Sequence, residues 1–112
     1  MPGPSEAERL TQATLAQRLA DAGFVLPGSL ITRRMRCGKP NCHCHGEPPE
    51  LHGPYFQWTR SAERKTLTCL LTEELVERYR PWFENTRALR QTLTELEALS
   101  VAVVDRDRRE RS

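Results

Sequence analysis

This sequence of 112 residues lacks the segments that mark membrane and secreted proteins. It contains no run of about 18 apolar residues, so it offers no candidate transmembrane helix. The N-terminal stretch MPGPSEAERL has none of the apolar core that a secretory signal requires. We therefore expect a cytoplasmic protein with no membrane partner, in a compartment where thiols stay reduced.

Several signatures of catalysis are also missing. The sequence has no C-x-x-C redox pair and no glycine-rich loop of the kind that cradles phosphates. No acidic partner or oxyanion device stands out beside the cysteines, so no small-molecule substrate is indicated. We predict a non-enzymatic protein and keep a Cys-dependent enzyme as the third alternative.

The charge is unevenly distributed, although the formal net charge is only +2. Residues 29–70 carry seven Lys and Arg against three Asp and Glu, whereas the segments on either side are each net negative by one. The excess positive charge therefore lies on the same segment as the cysteines and histidines.

The residue patterns predict one α+β domain over residues 1–104. Ser5 and Glu8 form a capping box at the start of a helix, and Thr72 caps a second, long helix. Pro81 must either kink or split this second helix, and we predict a kink. Alternating residues between the helices indicate a small three-stranded antiparallel sheet. The predicted elements are a helix at 5–22, a sheet at 29–71 with a Cys/His-rich loop at 37–53, a helical segment at 72–104 and a charged, frayed tail at 105–112.

One position in the first predicted strand conflicts with the alternation. Arg33 shares a face with Ile31 and Met35, which are apolar. Either a bulge shifts the register of this strand or Arg33 lies at the edge of the sheet.

The segment CGKPNCHCHGEPPELHGPY, residues 37–55, holds three of the four cysteines and all three histidines. Four thiolate or imidazole groups are the usual ligands of structural zinc. If the chain at Cys42–Cys44 is extended, the two thiols point the same way and His43 and His45 point away. We predict that the fourth cysteine, Cys69, packs in the core. The predicted zinc ligands are Cys37, Cys42, Cys44 and His52, with His43, His45 or Cys69 as alternatives to His52.

Basic residues on the predicted strands, with aromatic residues between them, indicate a surface that contacts DNA or RNA. The aromatic residues either pack on the sheet or stack on bases, and a solvated sheet face would show a similar charge pattern. The candidate nucleic-acid residues are Arg33, Arg34, Arg36, Lys39, Arg60, Arg64, Lys65, Tyr55 and Trp58.

Positions 75, 79, 82, 86, 89, 93, 96, 100 and 103, which we term the heptad stripe, step by alternating fours and threes. Such spacing is typical of a coiled-coil-like helix. The stripe either packs within the chain or pairs with a second copy, and we predict a homodimer. Its large apolar members are Leu75, Tyr79, Trp82, Leu89, Leu93 and Leu96.

With these motifs in view, the stretch at 24–100 resembles short bacterial proteins of the family named domain of unknown function 6788. The resemblance rests on the motifs GSL at 28–30, CGKPNCHC at 37–44 and HGPY at 52–55. The usual Gly-Lys of the family before the third strand is Arg64-Lys65 here, which implies a looser hairpin turn. The family has no assigned activity, so the resemblance implies only that Cys37, Cys42, Cys44 and His52 act as one unit.

Together these observations predict a small zinc-stabilised, nucleic-acid-binding homodimer. The alternative is a protein-interaction adaptor that works through the heptad stripe, with zinc only shaping a loop.

Overall fold

The computed structural model describes residues 2–36, 38–39, 41–46 and 51–110. Two helices and a three-stranded antiparallel sheet form an α+β arrangement, which confirms the predicted fold class. The elements in chain order are α1 (Glu6–Ala20), β1 (Ser29–Met35), a short 3-10 turn (His43–His45), β2 (His52–Ala62), β3 (Lys65–Leu71) and α2 (Glu73–Glu110).

The start of α1 follows directly from its sequence. The Ser5 side chain accepts a hydrogen bond from the Glu8 backbone N–H at 3.1 Å, and the Glu8 carboxylate accepts one from the Ser5 N–H at 2.7 Å. This reciprocal pair satisfies two donors that the first helical turn leaves unpaired. The helix ends at Ala20, two residues before the predicted boundary.

The sheet has the order β1-β2-β3, so β1 and β3 are both edge strands. In the hairpin, Ala62 pairs with Lys65, which leaves Glu63 and Arg64 as a two-residue loop. Both loop residues have positive φ, at 50° and 68°. Two-residue hairpins favour this backbone because its twist matches that of the strands, although it suits Asn and Gly better than Glu and Arg.

A bulge interrupts the pairing of β1 with β2. Arg33 pairs with Tyr55 and Met35 pairs with His52, so a step of two residues on β1 faces a step of three on β2. The extra residue lies at Gly53–Pro54, where Gly53 has a φ of 122°. A Cβ on Gly53 would lie 2.8 Å from the Arg33 carbonyl oxygen. The sequence predicted either a bulge next to Arg33 or a position of Arg33 at the edge of the sheet. Both are found, because the bulge begins at Arg33 and β1 is an edge strand.

Helix α2 is continuous through Pro81, so the proline does not split it. The predicted kink there stays a prediction. The prediction of a frayed tail at 105–112 is wrong for 105–110, because the helix runs on to Glu110. Tertiary bonds hold this end of the helix. The Arg106 guanidinium pairs with Glu8 at 2.9 Å, and the Asp107 carboxylate accepts a hydrogen bond from the Gly3 N–H at 2.7 Å.

The chain divides into two compact units. The helical unit comprises Met1–Val25 and Glu84–Ser112, and the sheet unit comprises Leu26–Phe83. That the chain forms one domain over 1–104 stays a prediction.

In the sheet unit, the start of α2 packs against part of one face of the sheet, at Trp58 and Leu71. Val76 is fully buried. Trp58 meets Phe83 edge to face with ring centroids 5.9 Å apart, and Tyr79 meets Trp82 at 4.9 Å. The first part of the heptad stripe therefore packs within the chain. These side chains line a cleft of about 260 Å³ formed by Leu26, Trp58, Leu71, Leu75, Tyr79, Trp82 and Phe83.

Candidate metal centre

Cys42 and Cys44 lie on a tight turn. Cys42 caps the 3-10 turn, its carbonyl accepts a hydrogen bond from the His45 N–H at 3.0 Å, and the His43 carbonyl accepts one from the Gly46 N–H at 3.0 Å. The extended conformation on which we based the predicted directions of His43 and His45 is therefore not the one that the chain adopts. The glycine and proline content around this segment favours local hydrogen bonding over strand pairing.

The turn brings both thiols to the imidazole of His52. The ligand atoms of Cys42, Cys44 and His52 all lie within 4.8 Å of one another. The Cys42 Sγ is 3.1 Å from the His52 Nε2. Cys44 is fully buried, whereas Cys42 and His52 are half-buried. Three donors of this kind can hold a metal ion, so the structure brings together three of the four predicted ligands.

The bulge in the sheet places His52 at this site. His52 is the first residue of β2 and pairs with Met35 across the bulge. Register partners project from the same face of a sheet, so His52 shares a face with Met35 and Arg33. If residues 52–58 alternated regularly with no bulge, His52 would instead lie on the face that carries Trp58, which contacts Phe83 of α2.

The alternative ligands differ in their distance from the site. We predicted that His43 points away from Cys42, and this is wrong. The His43 Nδ1 lies 4.0 Å from the Cys42 Sγ, and the centres of the His43 and His52 rings are 5.8 Å apart. His45 is exposed. Cys69 pairs with Trp58, six residues along β2 from His52. It is exposed, so the prediction that it packs in the core is wrong. Cys37 lies outside the described residues.

Among the described residues, Cys42, Cys44 and Cys69 form no disulfide bond. Neutral imidazole and thiolate are the donors that proteins present to zinc and other soft or borderline metals. The chemistry of the cluster therefore suits metal binding.

The predicted nucleic-acid residues form two groups rather than one surface. Arg33, Arg34, Arg36 and Lys39 are all exposed. They are near the metal cluster in the chain, since Met35 pairs with His52 and the Lys39 carbonyl accepts a hydrogen bond from the Cys42 N–H at 3.2 Å. The Arg33 guanidinium donates a hydrogen bond to the Gln57 side-chain oxygen at 3.1 Å. Tyr55, the register partner of Arg33, is five residues from Arg60 along β2. At about 3.3 Å per residue, this separates the two groups by roughly 17 Å.

The second group lies at the hairpin end of the sheet and consists of Arg60, Arg64 and Lys65. The Arg60 guanidinium lies 4.5 Å from the centre of the Trp58 ring. The Trp58 indole N–H donates to the Pro27 carbonyl at 2.8 Å, and its ring contacts Phe83. Of the two roles left open for Trp58, packing within the chain is the one these contacts support. Tyr55 is half-buried.

A family model described as a domain of unknown function, DUF6788, matches residues 5–81. The chain belongs to this family. The DUF6788 match includes the three clustered ligands and the whole sheet, and it ends at Pro81 within α2. No curated protein and no solved structure matches the chain. The described residues include no helix long and apolar enough to cross a membrane.

Two contacts of the structure have no signal in the sequence. The capping box identifies Glu8, but nothing local indicates that Arg106, 98 residues away, pairs with it. The approach of His43 to Cys42 depends on the 3-10 turn, which the spacing of the cysteines does not reveal. Gly53–Pro54, by contrast, offered a usable signal, because glycine and proline within a strand commonly mark a bulge or an edge.

Proposed function

We propose that this protein is a small, non-enzymatic zinc-binding protein of the cytoplasm that binds nucleic acid and acts as a homodimer. The observation that carries the metal part of this proposal is the convergence of Cys42, Cys44 and His52 within 4.8 Å. Zinc suits a mixed thiolate and imidazole donor set, and a structural zinc site takes four ligands. Cys37, the remaining cysteine of the segment, is proposed as the fourth ligand.

The proposed role of zinc is structural. The segment between β1 and β2 is rich in glycine and proline and has few apolar side chains. Such a segment gains little order from a hydrophobic core, so metal binding would supply the free energy that fixes its conformation. Zinc would then hold the basic end of β1 and the start of β2 in a fixed arrangement.

Metal analysis of the purified protein tests this part. We expect one zinc ion per chain in the wild-type protein and in the control Cys69→Ser, because Cys69 is exposed and lies far along the sheet. Cys42→Ser should lose the metal. Cys37→Ser should also lose it, and His43→Ala should retain it. Wild-type protein that is folded, reduced and metal-free would contradict the zinc proposal.

Nucleic-acid binding is supported by the basic group beside the metal cluster. Arg34, Arg36 and Lys39 are exposed, and no acidic residue occurs between positions 29 and 46. Arginine suits phosphate because its planar guanidinium makes bidentate contacts. The hairpin group would provide a second contact about 17 Å away along the sheet.

Fluorescence anisotropy with labelled DNA and RNA oligonucleotides tests this part. Binding should weaken as salt rises, because binding to phosphates releases counterions. The combined variant Arg34→Gln and Arg36→Gln should lower the slope of log K against log salt by about one for each phosphate that is no longer neutralised. The control Arg87→Gln, at an exposed position on α2, should leave the slope unchanged. Absence of salt-dependent binding above background would contradict nucleic-acid binding.

A second function is supported by exposed apolar residues in the helical unit. Leu93, Val101 and Val104 are 46%, 57% and 64% exposed. These residues suit a protein-interaction adaptor, which would bind a partner protein and show no nucleic-acid binding at moderate salt.

The 3.1 Å separation of the Cys42 Sγ and the His52 Nε2 is the one observation that favours the third alternative, a Cys-dependent enzyme. Rapid alkylation of Cys42 in metal-free protein would support that enzyme.

A further inference from the structure

The part of the heptad stripe that lies in the helical unit is incompletely covered. It comprises Thr86, Leu89, Leu93, Leu96, Ser100 and Val103, at alternating spacings of three and four. Leu93 is 46% exposed and Ser100 is exposed, whereas Leu89, Leu96 and Val103 are half-buried. In coiled-coil terms, Leu93 and Ser100 occupy one class of core position and the half-buried residues occupy the other.

Helix α1 covers only one flank of this stripe. It runs antiparallel to α2, because Arg18 pairs with Glu95 at 3.2 Å and Glu8 pairs with Arg106 at 2.9 Å. Thr92, which immediately precedes Leu93, is buried, and so is Leu15 of α1. The positions just before Leu93 and Ser100 therefore face α1, while the stripe itself continues past the edge of α1.

The other flank of the stripe carries two opposite charges. Arg90 follows Leu89 by one residue and Glu97 follows Leu96 by one residue, and both are exposed. These two positions lie on one side of the helix, seven residues apart. Flanking charges at such positions set the partner and the orientation of a coiled coil.

We propose that a second copy of this chain packs antiparallel on the stripe, with Arg90 of each copy facing Glu97 of the other. In an antiparallel pair the two classes of core position alternate, so Leu93 lies opposite Leu96 of the second copy and Leu89 lies opposite Ser100. In this register Arg90 and Glu97 meet across both ends of the contact. A parallel pair would instead place Arg90 against Asn85 and Glu97 against Thr92 of the other copy, so the two charges would not meet.

The charge complementarity is what selects a second copy as the occupant. The stripe and its charged flank match themselves after a two-fold rotation, which is the requirement of a symmetric dimer interface. Two antiparallel helix pairs brought together in this way form a four-helix arrangement, which buries apolar faces that a single helix pair leaves open. This inference rests on the proposed homodimer and adds its surface and its orientation.

Light scattering and sedimentation of the full chain test the inference, with circular dichroism and metal content as controls for folding. We expect a dimer for the wild-type protein and a monomer for Leu93→Glu, a change at an exposed position. Arg90→Glu alone, or Glu97→Arg alone, should weaken dimerisation at least tenfold, because each places like charges opposite each other twice. The control Arg87→Glu, away from the stripe, should have no effect.

Charge exchange gives the decisive comparison. The double variant Arg90→Glu and Glu97→Arg should restore dimerisation, and a mixture of the two single variants should form heterodimers. Wild-type protein that is monomeric at high concentration, or that is monomeric and binds only a different protein, would overturn both the homodimer and this surface. A wild-type dimer that ignores the single charge reversals, or that the double variant does not restore, would overturn this surface alone.

Discussion

The Sγ of Cys42 lies 3.1 Å from the Nε2 of His52, although ten residues separate them in the chain. Cys42 caps a 3-10 turn and His52 begins the central strand of the sheet, so this contact joins the irregular segment to regular structure. The buried Cys44 completes the group. A metal bound here would connect the turn to the sheet, and its binding should depend on both.

Removal of the imidazole should weaken metal binding strongly. For His52→Ala we expect zinc affinity to fall by more than the roughly 10- to 100-fold that loss of an outer-shell partner causes, because a direct ligand is removed. His45→Ala, an exposed neighbour on the same turn, serves as the control. Competition with a chromophoric zinc chelator measures both affinities. Equal affinities for the two variants would exclude His52 as a ligand.

Gly53 should be required for the geometry of the site. Its φ of 122° is rarely adopted by residues with a side chain, and a Cβ there would lie 2.8 Å from the Arg33 carbonyl oxygen. We expect Gly53→Ala to destabilise the protein by about 1–3 kcal/mol and to lower zinc affinity, because His52 is the adjacent residue.

The control for this prediction is Gly38→Ala, where a Cβ would meet no described atom within 4 Å and φ is not in the positive range. Thermal unfolding with and without zinc measures both effects. A Gly53→Ala variant with wild-type stability and wild-type affinity would show that the bulge does not position His52.

The hairpin turn should gain stability from glycine. Arg64 has a φ of 68°, which costs an ordinary L-residue about 1–2 kcal/mol. Glycine removes this cost but adds flexibility to the unfolded chain, so we expect a net gain of about 0.5–1 kcal/mol for Arg64→Gly. Lys65→Gly, within β3, should instead destabilise the sheet. Urea unfolding measures both, and a destabilised Arg64→Gly would contradict the strain argument.

Stability should fall in acid partly through one ion pair. The hydrogen bond from Arg106 lowers the pKa of the Glu8 carboxyl to about 2 from its usual 4.5. Because the folded-state pKa is the lower one, the pair contributes its full stability above about pH 4.5 and loses it as the pH falls towards 2. Arg106→Gln should lower, by up to one, the number of protons taken up on unfolding in this pH window. The free energy of unfolding of the variant should therefore fall less steeply as the pH is lowered.

Arg108→Gln is the matched control for that variant, since Arg108 pairs with Asp105 on the same helix at 3.6 Å. Thermal unfolding of both variants between pH 2.5 and 7 provides the comparison. Identical pH profiles for Arg106→Gln and the wild-type protein would contradict the assigned role of Glu8.

Local rules predicted the elements of the fold well. The capping box at Ser5 and Glu8, the cap at Thr72 and the alternation in the strands depend on residues close in sequence, and these elements are confirmed. The C-terminal end of α2 was not predicted, because tertiary contacts rather than neighbouring residues hold it. The bonds that hold Arg106 and Asp107 come from residues about 100 positions away.

In the candidate site, too, the residue types were predicted and the features that depend on conformation and strand register were not. The residue types of Cys42, Cys44 and His52 indicated a metal cluster, and the structure brings these three together. The 3-10 turn at His43–His45 was not predicted, because the spacing of the cysteines alone does not distinguish an extended segment from a 3-10 turn. The division of the basic residues into two groups was also missed, since it depends on strand register rather than on composition.

The location of the two tryptophans allows the sheet unit and the helices to be followed by two different spectroscopic signals. Trp58 and Trp82, the only tryptophans in the sequence, both lie in the sheet unit, where each contacts another aromatic ring. Their intrinsic fluorescence therefore reports on the surroundings of the sheet, whereas far-ultraviolet circular dichroism is dominated by the helices. Transitions that coincide in the two signals would mean that the units unfold cooperatively, and transitions that separate would give the stability of each unit from a single unlabelled sample.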